Sequence, residues 1–232
     1  MTDLLSGIRV LDLTNVLAGP YCAYQLALLG ADVIKVEGPQ GGDLARQLGG
    51  SPRLNQAGMG ASFLAQNAGK RSVMLDLKTE ADRERFLDLV ASADALVENF
   101  RPGVMHRLGL GHEALKAVRP GLVYCAISGF GQTGPMRDNP AYDQIIQGLS
   151  GIMSITGTPE TAPLRVGYPV ADTLGGLGGA RRVRDRIGVG QAEDNGRGRL
   201  PRRLDARMHA FRAWLAGVEL SDGRGRSQAD GQ

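Results

Sequence analysis

The stretch GIRVLDLTNVLAGPYCAYQLALLGADVIKVE, residues 7–37, reads as strand, helix, strand. GIRVLDLT (7–14) is a short β-rich run. PYCAYQLALLGA (20–31) is an apolar helix with Pro20 at its start, where a missing N–H costs little. DVIKVE (32–37) is a second strand, and the Gly-rich GPQGGD after it is a loop. The same alternation continues outward. SVMLDLK (72–78) is strand-like, and TEADRERFLDLVASA (79–93) is a helix. That helix has Thr79 as N-cap, acids in its first turn, and Phe86, Leu87, Leu89 and Val90 on one side. ALVENF (95–100) is a further strand, short helices follow around VMHRL and HEALKAV, and LVYCAIS (122–128) is the next strand. Several of these strands are apolar on both faces. Strands buried on both sides and separated by helices form an open, mostly parallel α/β sheet with helices on each face. Ligands of such a sheet sit outside the carboxyl ends of its strands.

Bulk properties narrow the function classes. The chain has 232 residues, 42% hydrophobic and 22% charged, which suits a folded domain with a sizeable core. Aromatics make up only 5%, too few for a stacking surface that would bind single-stranded nucleic acid. Cys22 and Cys125 lie in apolar runs and read as reduced core thiols. His106, His112 and His209 have no ligand spacing, so no metal is expected. MTDLLSGIRV has no signal-peptide pattern and no long apolar run occurs, so no membrane span is expected and the cytoplasm is the simplest compartment. Residues 181–232 hold 12 of the 27 basic residues and 7 of the 24 acidic ones, all twelve being Arg. The body, residues 1–180, therefore carries a net −2 and the tail +5.

Local motifs are sparse. Gly129, Gly131 and Gly134 fit a GxGxxG pattern after a good strand, but Pro135 to Pro140 read as a loop, so a turn cluster outranks a dinucleotide fingerprint. In NAGKRS (67–72), Lys70 and Arg71 read equally as a basic loop near an anion or as a solvated turn. Ser128 lacks the first glycine of a nucleophile elbow. Asp172, in LRVGYPVADTLGG, precedes a glycine-rich helix start. Two readings stay open: an anion held functionally at a helix N-terminus, or an ordinary Asp N-cap on a helix from Thr173, the commoner of the two.

Six blocks taken in order resemble the family III CoA-transferases, the group that includes formyl-CoA:oxalate and carnitine CoA-transferases. They are GIRVLDLTNVLAGPYCAYQLALLGADVIKVEGPQGGDLAR, NAGKRSVMLDLK, ALVENFRPGVMHRLGL, ISGFGQTGP, PAYDQIIQGLSGIMSITG and PLRVGYPVADTLGG. The resemblance covers residues 1 to about 180. It implies a Rossmann-like large domain and an activity that moves CoA between an acyl-CoA and a carboxylic acid. It matches Asp172 to the acyl-accepting nucleophile, which passes through an aspartyl anhydride and an aspartyl-CoA thioester. It implies CoA contacts from Val16, Leu17 and Ala18, from Leu75 and Lys78, from Asn99 and Phe100, and from Arg107, with CoA a substrate and no cofactor tightly bound. Some relatives carry a basic residue where this chain has Gly38. Tyr142 stands where the related α-methylacyl-CoA racemases carry a proton-transferring His, which favours transferase over racemase. A non-catalytic CoA-binding fragment is the other alternative, and with half of the family's lidded site not recognised, little turnover by this chain alone is the expectation. The family assembles as an interlocked homodimer. Its small domain and returning C-terminal segment are not recognised in residues 181–232, so a monomer or loose aggregate is the expectation, with no nucleic acid or membrane partner. The Arg- and Gly-rich residues from 181 are expected to be disordered or to stem from a shifted reading frame.

Overall fold

The computed structural model describes residues 4–194 and 218–221. Strands β1 (Arg9–Asp12), β2 (Asp32–Glu37), β3 (Arg71–Met74), β4 (Ala95–Glu98) and β5 (Val123–Ile127) are joined by helical crossovers. The sheet runs β3-β2-β1-β4-β5-β6. The first five strands are parallel, and β6 (Val218–Ser221) pairs antiparallel with β5. This is the open, mostly parallel α/β architecture expected from the sequence. Its order reverses between β1 and β4, because β2 is laid on one side of β1 and β4 on the other. Crossovers diverge at that point, and a crevice opens at the carboxyl ends of the two strands.

Side-chain alternation along each strand feeds two cores, one per face. Val10, Val33, Ala95, Val97 and Cys125 pack against α1 (Ala18–Leu28) and α8 (Val170–Asp194). Leu11, Ile34, Leu96 and Tyr124 pack against α4 (Glu80–Ala91), α5 (Val104–Arg107) and α6 (His112–Val118). A strand with cores on both faces must be apolar throughout, which is why ALVE of β4 is buried at every position. Helix α4 starts as the sequence predicts: the Thr79 hydroxyl accepts the Asp82 N–H at 3.4 Å, and Phe86 and Val90 are buried.

Helix α8 departs from expectation. The change of character foreseen at residue 180 does not end it; it runs on to Asp194. Ala180, Val183 and Ile187 recur at helical spacing and are buried in the first core, so packing carries the helix through its Arg-rich middle. Losing the side chain of a residue such as Ile187 costs about 2–5 kcal/mol. Close contact with α1 depends on two glycines. A Cβ at Gly176 would lie 2.6 Å from the Ala18 carbonyl oxygen, and one at Gly179 3.1 Å from Cys22 Sγ. The rest of the foreseen tail, apart from β6, lies outside the described residues.

Candidate active site

An open cleft of about 400 Å³ occupies the switch point. Asn15–Ala18 reach it from the turn after β1, Asn99–Pro102 from the turn after β4, and Ser128 and Gly129 from the turn after β5. The loop Arg137–Tyr142 forms one rim, and Ala171, Asp172 and Gly175 of α8 form a wall. The first two turns are tied together. Asn99 Oδ1 accepts the Asn15 N–H, and Asn99 Nδ2 donates to the Asn15 carbonyl, both at 2.8 Å. The next residue, Val16, has φ +69°, in the left-handed region that a β-branched side chain rarely adopts.

Asp172 is not the N-cap of its helix. α8 begins at Val170, which puts Asp172 inside the first turn. Capping falls to Asp143, the first residue of α7 (Asp143–Leu149), 29 positions earlier. Asp143 Oδ1 accepts the Ala171 N–H at 2.9 Å and the Asp172 N–H at 3.4 Å. Its Oδ2 accepts Gln147 Nε2 at 2.7 Å, and Gln147 Oε1 accepts the Val166 N–H at 2.9 Å. Gln147 is fully buried, so this chain of bonds fixes α7, the strap at Val166 and the start of α8 as one unit. With its own N–H engaged, Asp172 presents a half-buried carboxylate that accepts no hydrogen bond from a described residue. Burial, reinforced by the like charge of Asp143, pushes its pKa up to about 6. The helix N-terminus favours the anion, so desolvation outweighs the dipole here.

The structure gathers Val16, Leu17, Ala18, Asn99, Phe100 and Asp172 around one cleft. It does not bring three other sequence candidates to the wall. Leu75 is buried in the second core, and its N–H donates to the Glu37 carbonyl. Lys78 is exposed at the turn into α4. Both follow β3, two strand positions from β1 on the same carboxyl edge. Arg107 is exposed in the last turn of α5. Its Nη1 and the Nη2 of Arg137 flank Gly103, lying 3.2 and 3.3 Å from where a Cβ there would stand. Two guanidiniums therefore converge near the rim.

Lys70 fits neither of its two sequence readings: it is buried and paired with Asp12 at 2.7 Å, while Arg71 pairs with Asp32. Gly131 and Gly134 take positive φ in a loop, and the next helix begins at Asp143, so the GxGxxG pattern opens no helix. Sequence reasoning missed Asn15, Arg101, Arg137 and Asn139 in the cleft lining, and Gln147 behind it. Only Gln147 had a local signal, its i,i+4 spacing from Asp143. Among the described residues no group of three or more His, Cys, Asp or Glu is gathered as for a metal, and no helix is long and apolar enough to cross a membrane.

Comparison with known proteins agrees with this architecture. The chain is 46% identical over 188 residues to the succinate–glutarate CoA-transferase of Agrobacterium fabrum, covering 76% of this chain and 46% of that enzyme. It is 47% identical over 191 residues to the acetyl-CoA:oxalate CoA-transferase of Acetobacter aceti, covering 79% and 48%. A CAIB/BAIF family protein from Brucella suis superposes with a TM-score of 0.73 at 39% identity, over 84% of this chain and 51% of that one. The chain thus spans about half the length of the curated relatives it matches. The model of CoA-transferase family III matches residues 5–200, twenty residues past the boundary foreseen at 180. The chain belongs to CoA-transferase family III.

Proposed function

We propose that this protein moves coenzyme A between carboxylic acids, with Asp172 as the covalent acceptor. The observation that carries the reading is a carboxylate that accepts no hydrogen bond from a described residue, in the wall of a cleft at the switch point of the sheet. Ionised Asp172 attacks the thioester carbonyl of an acyl-CoA; the C–S bond breaks and CoA leaves as thiolate, giving a mixed anhydride. The thiolate attacks the Asp172 carbonyl of that anhydride and expels the donor acid as carboxylate, leaving an aspartyl-CoA thioester. An incoming carboxylate then attacks this thioester, and the same steps in reverse yield the new acyl-CoA and free Asp172. Each step exchanges one acyl bond for another, and no proton is consumed overall. Covalent catalysis divides one difficult exchange into easier ones.

Under this reading the reactive end of CoA lies against Val16–Ala18, Asn99 and Phe100. Arg107 and Arg137 supply cations for its phosphates at the rim. Strands lie about 4.8 Å apart, which sets Leu75 and Lys78 about 10 Å along the edge from β1, within reach of a ligand as long as CoA. Tyr142 at the rim, where a racemase would need a proton-transferring group, favours transfer over racemisation. Succinate, glutarate and oxalate, the short dicarboxylates for which those relatives are named, are the first acceptors to try.

The test is a trap. Chain incubated with succinyl-CoA and a dicarboxylate is treated with borohydride, which reduces a thioester but not a free carboxylate, and the peptide holding Asp172 is weighed. Reduction of the Asp172 side chain to the alcohol is the expected result. The trap reads one covalent event and does not depend on full turnover. Unmodified Asp172 in chain saturated with CoA would leave a CoA-binding module and defeat the proposal.

A further inference from the structure

Four charged side chains are sealed under the turn that follows β1. Asp12, Lys35, Asp43 and Lys70 each expose 2% or less of their side chains. They comprise two cations and two anions, and each is bonded to backbone between Thr14 and Pro20. Lys70 Nζ donates to Asp12 Oδ2 at 2.7 Å and to the Pro20 carbonyl at 2.9 Å. Lys35 Nζ pairs with Asp43 Oδ2 at 3.0 Å and donates to the Thr14 carbonyl at 2.7 Å. Asp12 Oδ1 accepts the Thr14 N–H at 2.9 Å and also its hydroxyl. Asp43 Oδ1 accepts the N–H of Val16 at 2.9 Å.

Stability alone gives a weak account of these charges. A buried ion pair replaced by well-packed apolar groups is often no less stable. The shared target of their bonds is more informative. Between Thr14 and Pro20 lies Val16, a β-branched residue at φ +69°, and such a conformation persists only where its surroundings over-determine it. Val16, Leu17 and Ala18 are also the residues this turn contributes to the cleft.

We infer that the buried quartet Asp12, Lys35, Asp43 and Lys70 is a positioning device that holds Val16 left-handed and so fixes the cleft-facing backbone of Val16–Ala18 for its acyl-CoA ligand. The inference rests on the acyl-CoA reading of the cleft for the identity of the ligand. Asp43 is its most direct member, since it grips the Val16 N–H itself. Glycine is at ease at positive φ, so Val16→Gly removes the strain that the quartet has to overcome.

The experiment uses the full chain with free CoA as probe, read by calorimetric titration and by amide hydrogen exchange. Asp43→Asn keeps the shape of the side chain and removes its charge. It is expected to raise exchange at the amides of Val16–Tyr21 and to weaken CoA binding about tenfold, the scale of one bond to a charged group. In a Val16→Gly background the same substitution is expected to weaken binding less than about threefold. Equal losses in both backgrounds would overturn the inference, as would exchange that rises evenly over the whole sheet. Should Asp43→Asn not fold, the charge-balanced pair Lys35→Met with Asp43→Leu gives the same readout, and unaltered exchange at Val16–Tyr21 in a folded pair variant would overturn it. Wild-type chain that binds no CoA, yet shows the localised exchange response, would defeat the acyl-CoA reading and leave the positioning of Val16 standing.

Discussion

Buried acids along the carboxyl edge of the sheet are treated in two opposite ways. On the β1–β3 side every one is matched. Asp12 and Asp43 face Lys35 and Lys70, and Glu37 faces Arg46 at 2.6 Å. Burial works against the Glu37 anion, but the Arg46 guanidinium, the Asp43 N–H and the Ser72 hydroxyl prevail and hold its pKa at about 2. The pKa of Asp12 is lowered too, with Lys70 and Lys35 overcoming its burial. On the β4–α8 side no described cation stands beside Glu98 or Asp172. Burial lifts Glu98 to about 7 against the bonds from the Phe100 N–H and the Tyr124 hydroxyl, and lifts Asp172 to about 6. The first side is scaffold, with each charge satisfied. The second keeps carboxyl groups whose protonation lies near neutrality, as acid–base or nucleophilic work requires.

The largest effect should separate the two sides by activity. Asp172→Ala is expected to lower CoA transfer by at least about a thousandfold, the scale of removing a covalent nucleophile, measured by single-turnover release of free CoA from succinyl-CoA. The wild-type rate should rise with pH through about 6 as Asp172 ionises. A rate flat from pH 5 to 8 would detach the raised pKa from the chemistry.

The scaffold side should answer in stability instead. Lys70→Met leaves Asp12 buried beside one remaining cation, Lys35, at 3.9 Å. Breaking a buried pair by removing one partner costs about 3–5 kcal/mol, to be read from the denaturation midpoint. A loss under about 1 kcal/mol would mean that the two sides differ less than their geometry says.

How far this contrast was legible beforehand differs along the chain. Local patterns were readable: DVIKVE is β2 residue for residue, HEALKAV is α6, and Thr79 caps α4. What escaped were pairings made over long separations. Lys70 read equally as a basic loop near an anion or as part of a solvated turn, because its partner Asp12 lies 58 residues away. Asp172 looked like a cap because the true cap, Asp143, belongs to another helix. The apparent break at residue 180 came from a polar face. The buried stripe of Ala180, Val183 and Ile187 is short and flanked by arginines, so its period shows only once α1 and the sheet are there to receive it. The resemblance selected Leu75, Lys78 and Arg107 along with the cleft residues, and strand order then separated those on the cleft wall from those further along the edge.

A smaller effect turns the nucleophile against its own fold. A carboxyl whose folded pKa is raised contributes stability while protonated, and that contribution falls as pH rises from the unfolded value, about 4, through about 6. Above pH 7, Asp172→Asn should therefore be more stable than wild type by on the order of 2 kcal/mol, allowing for partial solvent screening. The gain should vanish below about pH 4, where wild type is protonated in both states. Urea midpoints at the two pH values measure it, and a gain that is the same at both would show that charge is not its source.

The smallest predicted effect is a change of sign at Glu98. Its two oxygens accept the Phe100 N–H at 2.8 Å and the Tyr124 hydroxyl at 3.2 Å. Glutamine has one acceptor oxygen, so Glu98→Gln gives up one of these bonds, a loss of about 1 kcal/mol. At about pH 4 wild-type Glu98 is mostly protonated in the folded and the unfolded state alike, the substitution relieves no buried charge, and the variant should be the less stable by about that amount. At pH 8.5 wild type holds a buried anion with no described cation beside it. Removing that charge should more than offset the lost bond and leave the variant ahead by about 1 kcal/mol. Stability curves that cross between about pH 4.5 and 7 fit a carboxylate left uncompensated. Curves that stay parallel would move Glu98 to the matched side of the comparison and leave Asp172 without it on the other.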